Sequence, residues 1–516
     1  MALQLEEAPS NIDPALVPVR LRPPERGGIR EHFEASDPSR RADVARIPVV
    51  ARLLKKRWLQ FALIVPNQAI FWTVIFVGLF GVLDPGLNFA TAITWYVWFC
   101  LVFVMMTVVG RAWCSMCPFG GFAEWVQRKT LFARTQKALG LGLKFPERLA
   151  KLGFLIPVGT FLVLTWLEEF FGIAGPGAPA DTSFMVIGII SSALLFFLVF
   201  ERRTFCRYLC PLTTLIGSVG SMGSVAGFRT RDREVCLACK TKDCMRGGEN
   251  GFGCPWYTWP GSADSNLSCG LCSECYKACP HDNVGLYLQK PLTSVVAPRR
   301  RRADVAWGVA VLWGLVLYQQ FNATNAFAAA DNWLNAKLHF PQYPNPVDYI
   351  GMIALGTLAT VGVAWLVGRA FARREASFTG AGSFVDRTSR FRAFFVPLTY
   401  GLIPIVGADY FARQLPKFFQ SAPRVVPAFG HIFGFASTKS TLYSFSLMTN
   451  GWIVFTQVAV IVAGTLASAL AMWKIAGREL APISRSGIGV KLTTLAVVLG
   501  SGVAASVLYV IMHAAD

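Results

Sequence analysis

Residues 269–280, with the sequence CGLCSECYKACP, give the strongest indication of the fold in this chain. Their spacing is C-x2-C-x2-C-x3-C-P without exception. In this spacing three thiolates hold three irons of one [4Fe–4S] cubane, and the fourth cysteine, here Cys279, reaches the other cubane of a pair. The proline that follows ends the local turn and fixes its direction. The stretch therefore predicts one half of a two-cluster iron–sulfur fold.

Four cysteines upstream supply the other half: Cys236, Cys239, Cys244 and Cys254, the last followed by a proline. Four residues separate Cys239 from Cys244 and nine separate Cys244 from Cys254, so this half has longer loops. Eight cysteines nevertheless make two four-thiolate sites. Because the fourth cysteine of each half binds the other half's cluster, cluster 1 is assigned to Cys236, Cys239, Cys244 and Cys279. Cluster 2 is assigned to Cys254, Cys269, Cys272 and Cys275. Two structural zinc sites are the alternative, which the run at 269–280 disfavours.

Composition places the rest of the chain in a lipid bilayer. Of its 516 residues 53% are hydrophobic and only 15% are charged, with 40 Phe and 15 Trp. A soluble protein carries about 25% charged residues, so a secreted disulfide scaffold, a disordered protein and an ordinary cytosolic enzyme are excluded. The net charge of +19 is spread over many loops. This pattern is typical of the cytoplasmic loops of membrane proteins, and we expect no nucleic-acid partner.

Runs of about 20 apolar residues predict nine transmembrane helices. They are Phe61–Leu83, Phe89–Gly110, Leu152–Ala174, Phe184–Phe200, Val305–Phe327, Val347–Gly368, Ala393–Ala412, Trp452–Met472 and Gly489–Met512. With the N-terminus inside, 44 of the 49 Lys and Arg residues fall on the cytoplasmic side, as the positive-inside rule requires. We therefore expect an integral protein of a prokaryotic inner membrane, with a cytoplasmic N-terminus and an external C-terminus.

This arrangement of spans and loops predicts an all-α polytopic membrane protein with an inserted ferredoxin-like, double-[4Fe–4S] cytoplasmic domain. Four segments follow from it: a cytoplasmic arm (1–57), a four-helix membrane core (58–225), the two-cluster domain (226–302) and a five-helix membrane domain (303–516). The first span carries Pro66, Asn67 and Gln68, which indicate either a quinone head-group site or an interfacial bend.

Two further cysteine pairs follow the second and fourth spans. The sequence reads Arg-Ala-Trp-Cys114-Ser-Met-Cys117-Pro and Arg-Thr-Phe-Cys206-Arg-Tyr-Leu-Cys210-Pro. The two motifs form an internal repeat of helical hairpins that each end in Cys-Pro, and pairing the hairpins would bring four thiolates together. These cysteines are a candidate third redox or metal site that holds an iron–sulfur cluster or copper, or cycles as dithiol and disulfide. Structural packing is the alternative.

This order of spans, Cys-Pro motifs and double-cluster segment resembles the membrane-bound polyferredoxin family over about residues 58–290. The family includes the quinol-oxidising subunit of periplasmic nitrate reductase, the nitrous-oxide-reductase maturation protein and the iron–sulfur accessory protein of cytochrome oxidase. Two features depart from it. The first Cys-Pro motif has two residues between its cysteines where the family usually has three, and five further spans stand in place of the soluble extracytoplasmic domain that ends the oxidase accessory protein.

The resemblance implies an electron-transfer component of an oxidoreductase system. We expect it to relay single electrons between the quinone pool or a cytoplasmic donor and a redox partner protein. Two other functions stay open. One is a copper reductase or assembly factor for a respiratory metalloenzyme, and the other is a redox-sensing transporter whose last five spans move a substrate.

Overall fold

The computed structural model describes the chain from residue 42 to residue 514 with short gaps. The described ranges are 42–128, 139–175, 177–298, 301–322, 324–341, 343–373, 389–435 and 440–514. Residues 1–41 of the predicted arm lie outside them. The described chain is mostly helical, with one small sheet.

Seven helical segments in the described ranges are long and apolar enough to cross a membrane. The hydrocarbon core is about 30 Å thick and a helix rises 1.5 Å per residue, so about 20 residues are needed. The seven are Trp58–Phe80, Phe89–Val109, Pro179–Val199, Pro346–Phe371, Arg390–Ile432, Asn450–Ile483 and Gly487–Ile511. They coincide with seven of the nine predicted spans and fit a membrane protein.

The third and fifth predicted spans are helices that differ from these seven. Leu155–Phe170 has 16 residues, or about 24 Å, which is less than the hydrocarbon thickness. Ala303–Phe321 has 19 residues and is mostly buried among other helices, including Gln319 and Gln320 near its end. Because protein rather than lipid surrounds this helix, its sequence need not be uniformly apolar. The predicted total of nine spans is therefore not confirmed.

The fifth predicted span also ends earlier than expected. The helix stops at Phe321, and a separate helix, Asn325–Leu338, follows it. Thr324 begins this second helix, because its hydroxyl accepts a 3.3 Å hydrogen bond from the Phe327 amide, as an N-cap residue does. By contrast, the first helix continues through Pro66 as a single helical segment, Trp58–Phe80.

The remaining helices are short or are parts of the longest segments. Arg390–Ile432 contains the helix Ser389–Gly401 from its second residue onward, then Ile403–Ser421, a 3-10 turn (Ala422–Arg424) and Val425–Ile432. Asn450–Ile475 continues through Ala476–Leu480 into Ala481–Ile483. The short helices are Pro48–Lys55, Trp113–Met116, Pro118–Arg128, Glu147–Ala150, Phe205–Leu209, Leu212–Gly220, Arg233–Ala238, Asp243–Arg246, Glu274–Ala278 and Thr293–Val296.

One hydrophobic core joins the membrane helices before and after residue 303. Phe103 of Phe89–Val109 stacks on Tyr410 of Ile403–Ser421, with ring centroids 6.2 Å apart and planes 11° apart. Phe161 also contacts Tyr410, at 6.2 Å. These rings belong to a single cluster of buried side chains that includes Val309 and Phe395. The two predicted membrane regions, 58–225 and 303–516, therefore share a core.

A three-stranded sheet frames the cysteine-rich segment. Strand β1 (Ala42–Asp43) and strand β2 (Val225–Thr230) both pair antiparallel with strand β3 (Val284–Leu288), in the order β1-β3-β2. All eight cysteines of the segment lie between β2 and β3. Residues from the predicted arm thus supply one edge strand, and Asp43 pairs with Arg231 at 2.9 Å.

Candidate metal centres

The first cysteine set surrounds one cavity. Cys236, Cys239, Cys244 and Cys279 all line the same cavity. Cys236 and Cys244 lie on the short helices Arg233–Ala238 and Asp243–Arg246, and Cys279 directly follows Glu274–Ala278. Burial raises the pKa of the Cys244 thiol, and repulsion by Cys236, Cys279 and Cys239 raises it further. The structure thus brings together the four residues assigned to cluster 1.

The second set is Cys254, Cys269, Cys272 and Cys275. Burial, followed by repulsion from the other three members, raises the pKa of Cys275 well above its ordinary value. Burial also raises the pKa of Cys254 to about 11. A thiol must lose its proton to bind a metal, so these buried thiols need a compensating positive charge, such as iron, to become thiolates.

Matching backbone hydrogen bonds reach the sulfurs at the two Cys-Pro positions. The Thr258 amide donates to Cys254 Sγ at 3.3 Å, and the Asn283 amide donates to Cys279 Sγ at 3.3 Å. In both cases the donor lies four residues after the cysteine. Hydrogen bonds to cysteine sulfur are one of the means by which proteins set cluster potentials.

The four cysteines of the membrane Cys-Pro motifs form a third set. Burial raises the pKa of Cys206 well above its ordinary value. Repulsion from the nearby Cys210, Cys117 and Cys114 raises this pKa further. Burial raises the pKa of Cys117 to about 12 and that of Cys210 to about 11. Each motif ends in a proline at the start of the next helix. Pro118 is the first residue of Pro118–Arg128, where proline is favoured, and Pro211 directly precedes Leu212–Gly220. The two hairpins thus meet as the internal repeat predicts.

Two buried arginines lie beside this third set. Arg203, only 1% exposed, donates from Nη1 to the Cys114 carbonyl at 2.9 Å and from Nε to Glu124 Oε2 at 3.1 Å. Arg111, 2% exposed, donates from Nε to Cys114 Sγ at 3.4 Å and from Nη1 to the Leu267 carbonyl at 2.9 Å. Both cations favour thiolate over thiol in the set.

Sequence reasoning did not assign a role to these arginines, although a signal was present. In both motifs an arginine precedes the first cysteine by three residues, as Arg111 precedes Cys114 and Arg203 precedes Cys206. The repeat therefore extends beyond the cysteines and prolines to the cations that contact them.

The three cysteine sets are arranged in order. The Cys254 amide donates to the Cys244 carbonyl at 2.8 Å and so connects the first set to the second. Trp256 packs with Cys254 and Cys272 of the second set, and Cys114 of the third set packs against the same group of side chains. The guanidinium carbons of Arg203 and Arg111 lie 5.0 and 5.5 Å from the Trp256 ring centroid. The second set therefore lies between the other two.

The first membrane helix is tied to the third set by Gln68. Its Nε2 donates to the Pro118 carbonyl at 2.6 Å, one residue beyond Cys117. Gln68 is 7% exposed, whereas its neighbour Asn67 is half-buried and donates to the Leu63 carbonyl of its own helix. Of the two polar residues, the structure thus places Gln68 next to the cysteines.

Within the described ranges, no three His, Cys, Asp or Glu side chains are placed to hold a single metal ion. Four thiolates on one zinc ion lie about 3.8 Å apart, given a Zn–S distance of about 2.3 Å. Each thiolate of a cubane binds a different iron, so cubane ligands stand further apart.

Comparison with known protein families finds a 4Fe-4S binding domain, matched over residues 91–138 and 182–225. The first segment contains Cys114 and Cys117, and the second contains Cys206 and Cys210. No curated protein and no solved structure matches the chain. Together with the seven apolar helices, the family match supports an iron–sulfur membrane protein with at least one cluster.

Proposed function

We propose that this protein is a membrane-integral electron relay with three iron–sulfur centres. It passes single electrons between the quinone pool or a cytoplasmic donor and a redox partner protein. The observation that carries the proposal is the order of the cysteine sets, in which neighbouring sets are joined by direct contacts at Cys244–Cys254 and at Trp256. An ordered series of one-electron centres is the arrangement a relay needs.

In this proposal the first and second sets each hold a [4Fe–4S] cluster with the crossed assignment. Clusters of this type supply reversible one-electron chemistry at potentials set by burial and hydrogen bonding. The chain contributes thiolates, the amide donors Thr258 and Asn283, and burial that limits access of water.

A third [4Fe–4S] cluster is proposed for Cys114, Cys117, Cys206 and Cys210. Two observations support iron–sulfur over copper here. The four thiols come from two matched hairpins, and the matched 4Fe-4S binding segments contain all four of them. The adjacent Arg111 and Arg203 would offset the negative charge of a thiolate-ligated cluster.

The membrane setting is proposed as in the sequence prediction. Nine crossings, which include the 16-residue Leu155–Phe170 and the largely buried Ala303–Phe321, would put the N-terminus and all three sets at the cytoplasmic face of an inner membrane and the C-terminus outside. The support is the distribution of basic residues, with 44 of 49 on the cytoplasmic side. The third set then lies at the membrane edge, where a quinone could exchange electrons with it.

The test is a count of iron and acid-labile sulfide in full-length protein purified without oxygen, followed by EPR after dithionite and after quinol. Three cubanes give about twelve irons per chain. Cys206→Ala should lower the count to about eight and leave the signals of the first two clusters. Cys100→Ala is the matched control, because Cys100 is buried within a membrane helix away from the three sets, and it should keep about twelve.

Other outcomes discriminate the alternatives. About eight irons together with bound copper that Cys206→Ala removes would support the copper-handling function. Protein that contains no iron, or that contains stoichiometric zinc, would overturn the relay.

A further inference from the structure

Each of the two cysteine sets in the segment 236–279 has one tryptophan in its wall. Trp259 lines the cavity formed by Cys236, Cys239, Cys244 and Cys279. Trp256 is 2% exposed and packs against Cys254 and Cys272 of the second set. Tryptophan is a large apolar side chain with a single polar atom, the indole N–H donor.

Both indole N–H groups are buried donors without an acceptor. Neither Trp256 Nε1 nor Trp259 Nε1 has a hydrogen-bond partner among the residues that the structure describes, and both atoms are inaccessible to solvent. A buried donor without an acceptor is unfavourable, and such groups in native structures call for an explanation. Here each lies on a ring that adjoins a proposed cluster, whose sulfurs would supply the missing acceptor.

Close packing on both rings limits their movement. A Cβ atom on Gly261 would lie 2.6 Å from atoms of the Trp259 ring, and a Cβ on Gly270 would lie 2.3 Å from the Trp256 ring. Any residue other than glycine would displace the indole. Cations contact the rings as well, with Lys242 Nζ 4.6 Å from the Trp259 centroid. The chain thus holds two rings in equivalent settings, one at each set.

We propose that Trp259 and Trp256 each donate an indole N–H hydrogen bond to a sulfur atom of the first and the second cluster, respectively, and thereby raise the reduction potentials. The inference rests on the proposed function, since it requires clusters at both sets. Reduction adds one negative charge to a cluster. A fixed N–H donor stabilises the more negative state more strongly than the less negative one, so its removal makes the cluster harder to reduce.

The test is a potentiometric EPR titration of full-length protein, comparing wild type with Trp259→Phe and Trp256→Phe. Phenylalanine keeps an aromatic ring and removes the N–H. Trp259→Phe should shift the midpoint of the first cluster to more negative potential and leave the second unchanged. Trp256→Phe should do the reverse, so each variant serves as the control for the other. Trp473→Phe, on the helix Asn450–Ile475 outside the cysteine-rich segment, should change neither midpoint.

A second measurement needs no variant. Pulsed ENDOR of the reduced wild-type protein should show a strongly coupled exchangeable proton at each cluster, replaced by deuterium after exchange into D2O. Specific ¹⁵N labelling of tryptophan should produce a matching nitrogen coupling. Unchanged midpoints in both variants at full iron content, or the absence of a tryptophan ¹⁵N coupling, would overturn the inference. Wild-type protein without clusters would instead overturn the proposed function, so the two failures are distinguishable.

Discussion

Replacing Arg203 by methionine is expected to destabilise the folded protein by about 3 kcal/mol. The Arg203 guanidinium is almost fully buried and contacts both the Glu124 carboxylate and the Cys114 carbonyl. Removing one partner of a buried ion pair costs about 3–5 kcal/mol, because the other charge is left uncompensated. Arg128 still pairs with the second oxygen of Glu124, which places the expected loss at the lower end of that range.

A double-mutant cycle isolates the pair. Glu124→Gln removes the stranded charge, so the combination of Glu124→Gln and Arg203→Met should cost less than the sum of the two single changes by about 1–3 kcal/mol. An exposed ion pair gives the control. Lys55 and Asp282 lie 3.0 Å apart, with side chains 51% and 63% exposed, and Lys55→Met should cost no more than about 1 kcal/mol.

The assay is the free energy of unfolding of the full-length protein in mixed micelles, measured by titration with a denaturing detergent. Iron content is determined on the same samples, so that cluster loss is not mistaken for loss of the ion pair. An effect of Arg203→Met no larger than that of Lys55→Met, or strict additivity in the cycle, would refute the reasoning.

Two further predictions concern ion pairs, one at Glu124 and one at Asp43. Although burial favours its neutral form, Arg128 and Arg203 hold the pKa of Glu124 below its ordinary value. Its ion pairs therefore stabilise the fold above the unfolded carboxyl pKa of about 4.3 and are lost as the pH falls through the lower folded value. Unfolding free energies should decline in this acidic window more steeply for wild type than for Glu124→Gln, and parallel curves would contradict this. Asp43→Ala removes the 2.9 Å pair with Arg231 and the N-cap of the 3-10 helix Val44–Arg46, where Asp43 accepts from the Ala45 amide, and should cost about 1–2 kcal/mol. It should also speed iron removal by a chelator. An unchanged rate would count against a role of β1 in limiting access to the cysteine-rich segment.

The membrane helices were largely predictable because lipid imposes an apolar sequence on any helix that faces it. The prediction was less successful for Ala303–Phe321 and Leu155–Phe170. The first lies among other helices, so packing rather than lipid decides its composition, and the second has only 16 helical residues. Strand β1 could not be foreseen, since two residues carry no periodicity and its partner Leu288 lies about 245 residues away in sequence.

The cysteine sets could be proposed from spacing because cluster ligation is a local pattern along the chain. The groups that surround the sulfurs depend on contacts between distant residues. Arg111 reaches the Leu267 carbonyl across 156 positions, and Arg203 reaches Glu124 across 79. No local pattern encodes such pairs. The repeated arginine before each membrane motif was visible, but its partners were not.

The stacking of Phe103 on Tyr410 also bears on how the chain can be shortened. A fragment that ends near residue 302 would lack the helices that pack against its membrane core. Lipid acyl chains would then contact side chains such as Phe103 that Tyr410 covers in the full-length protein. It would also strand Arg301, whose side chain is 3% exposed and bound to Glu479 at 2.9 Å. We therefore expect a chain cut between the cysteine-rich half and the remaining helices to be less stable than the full-length protein.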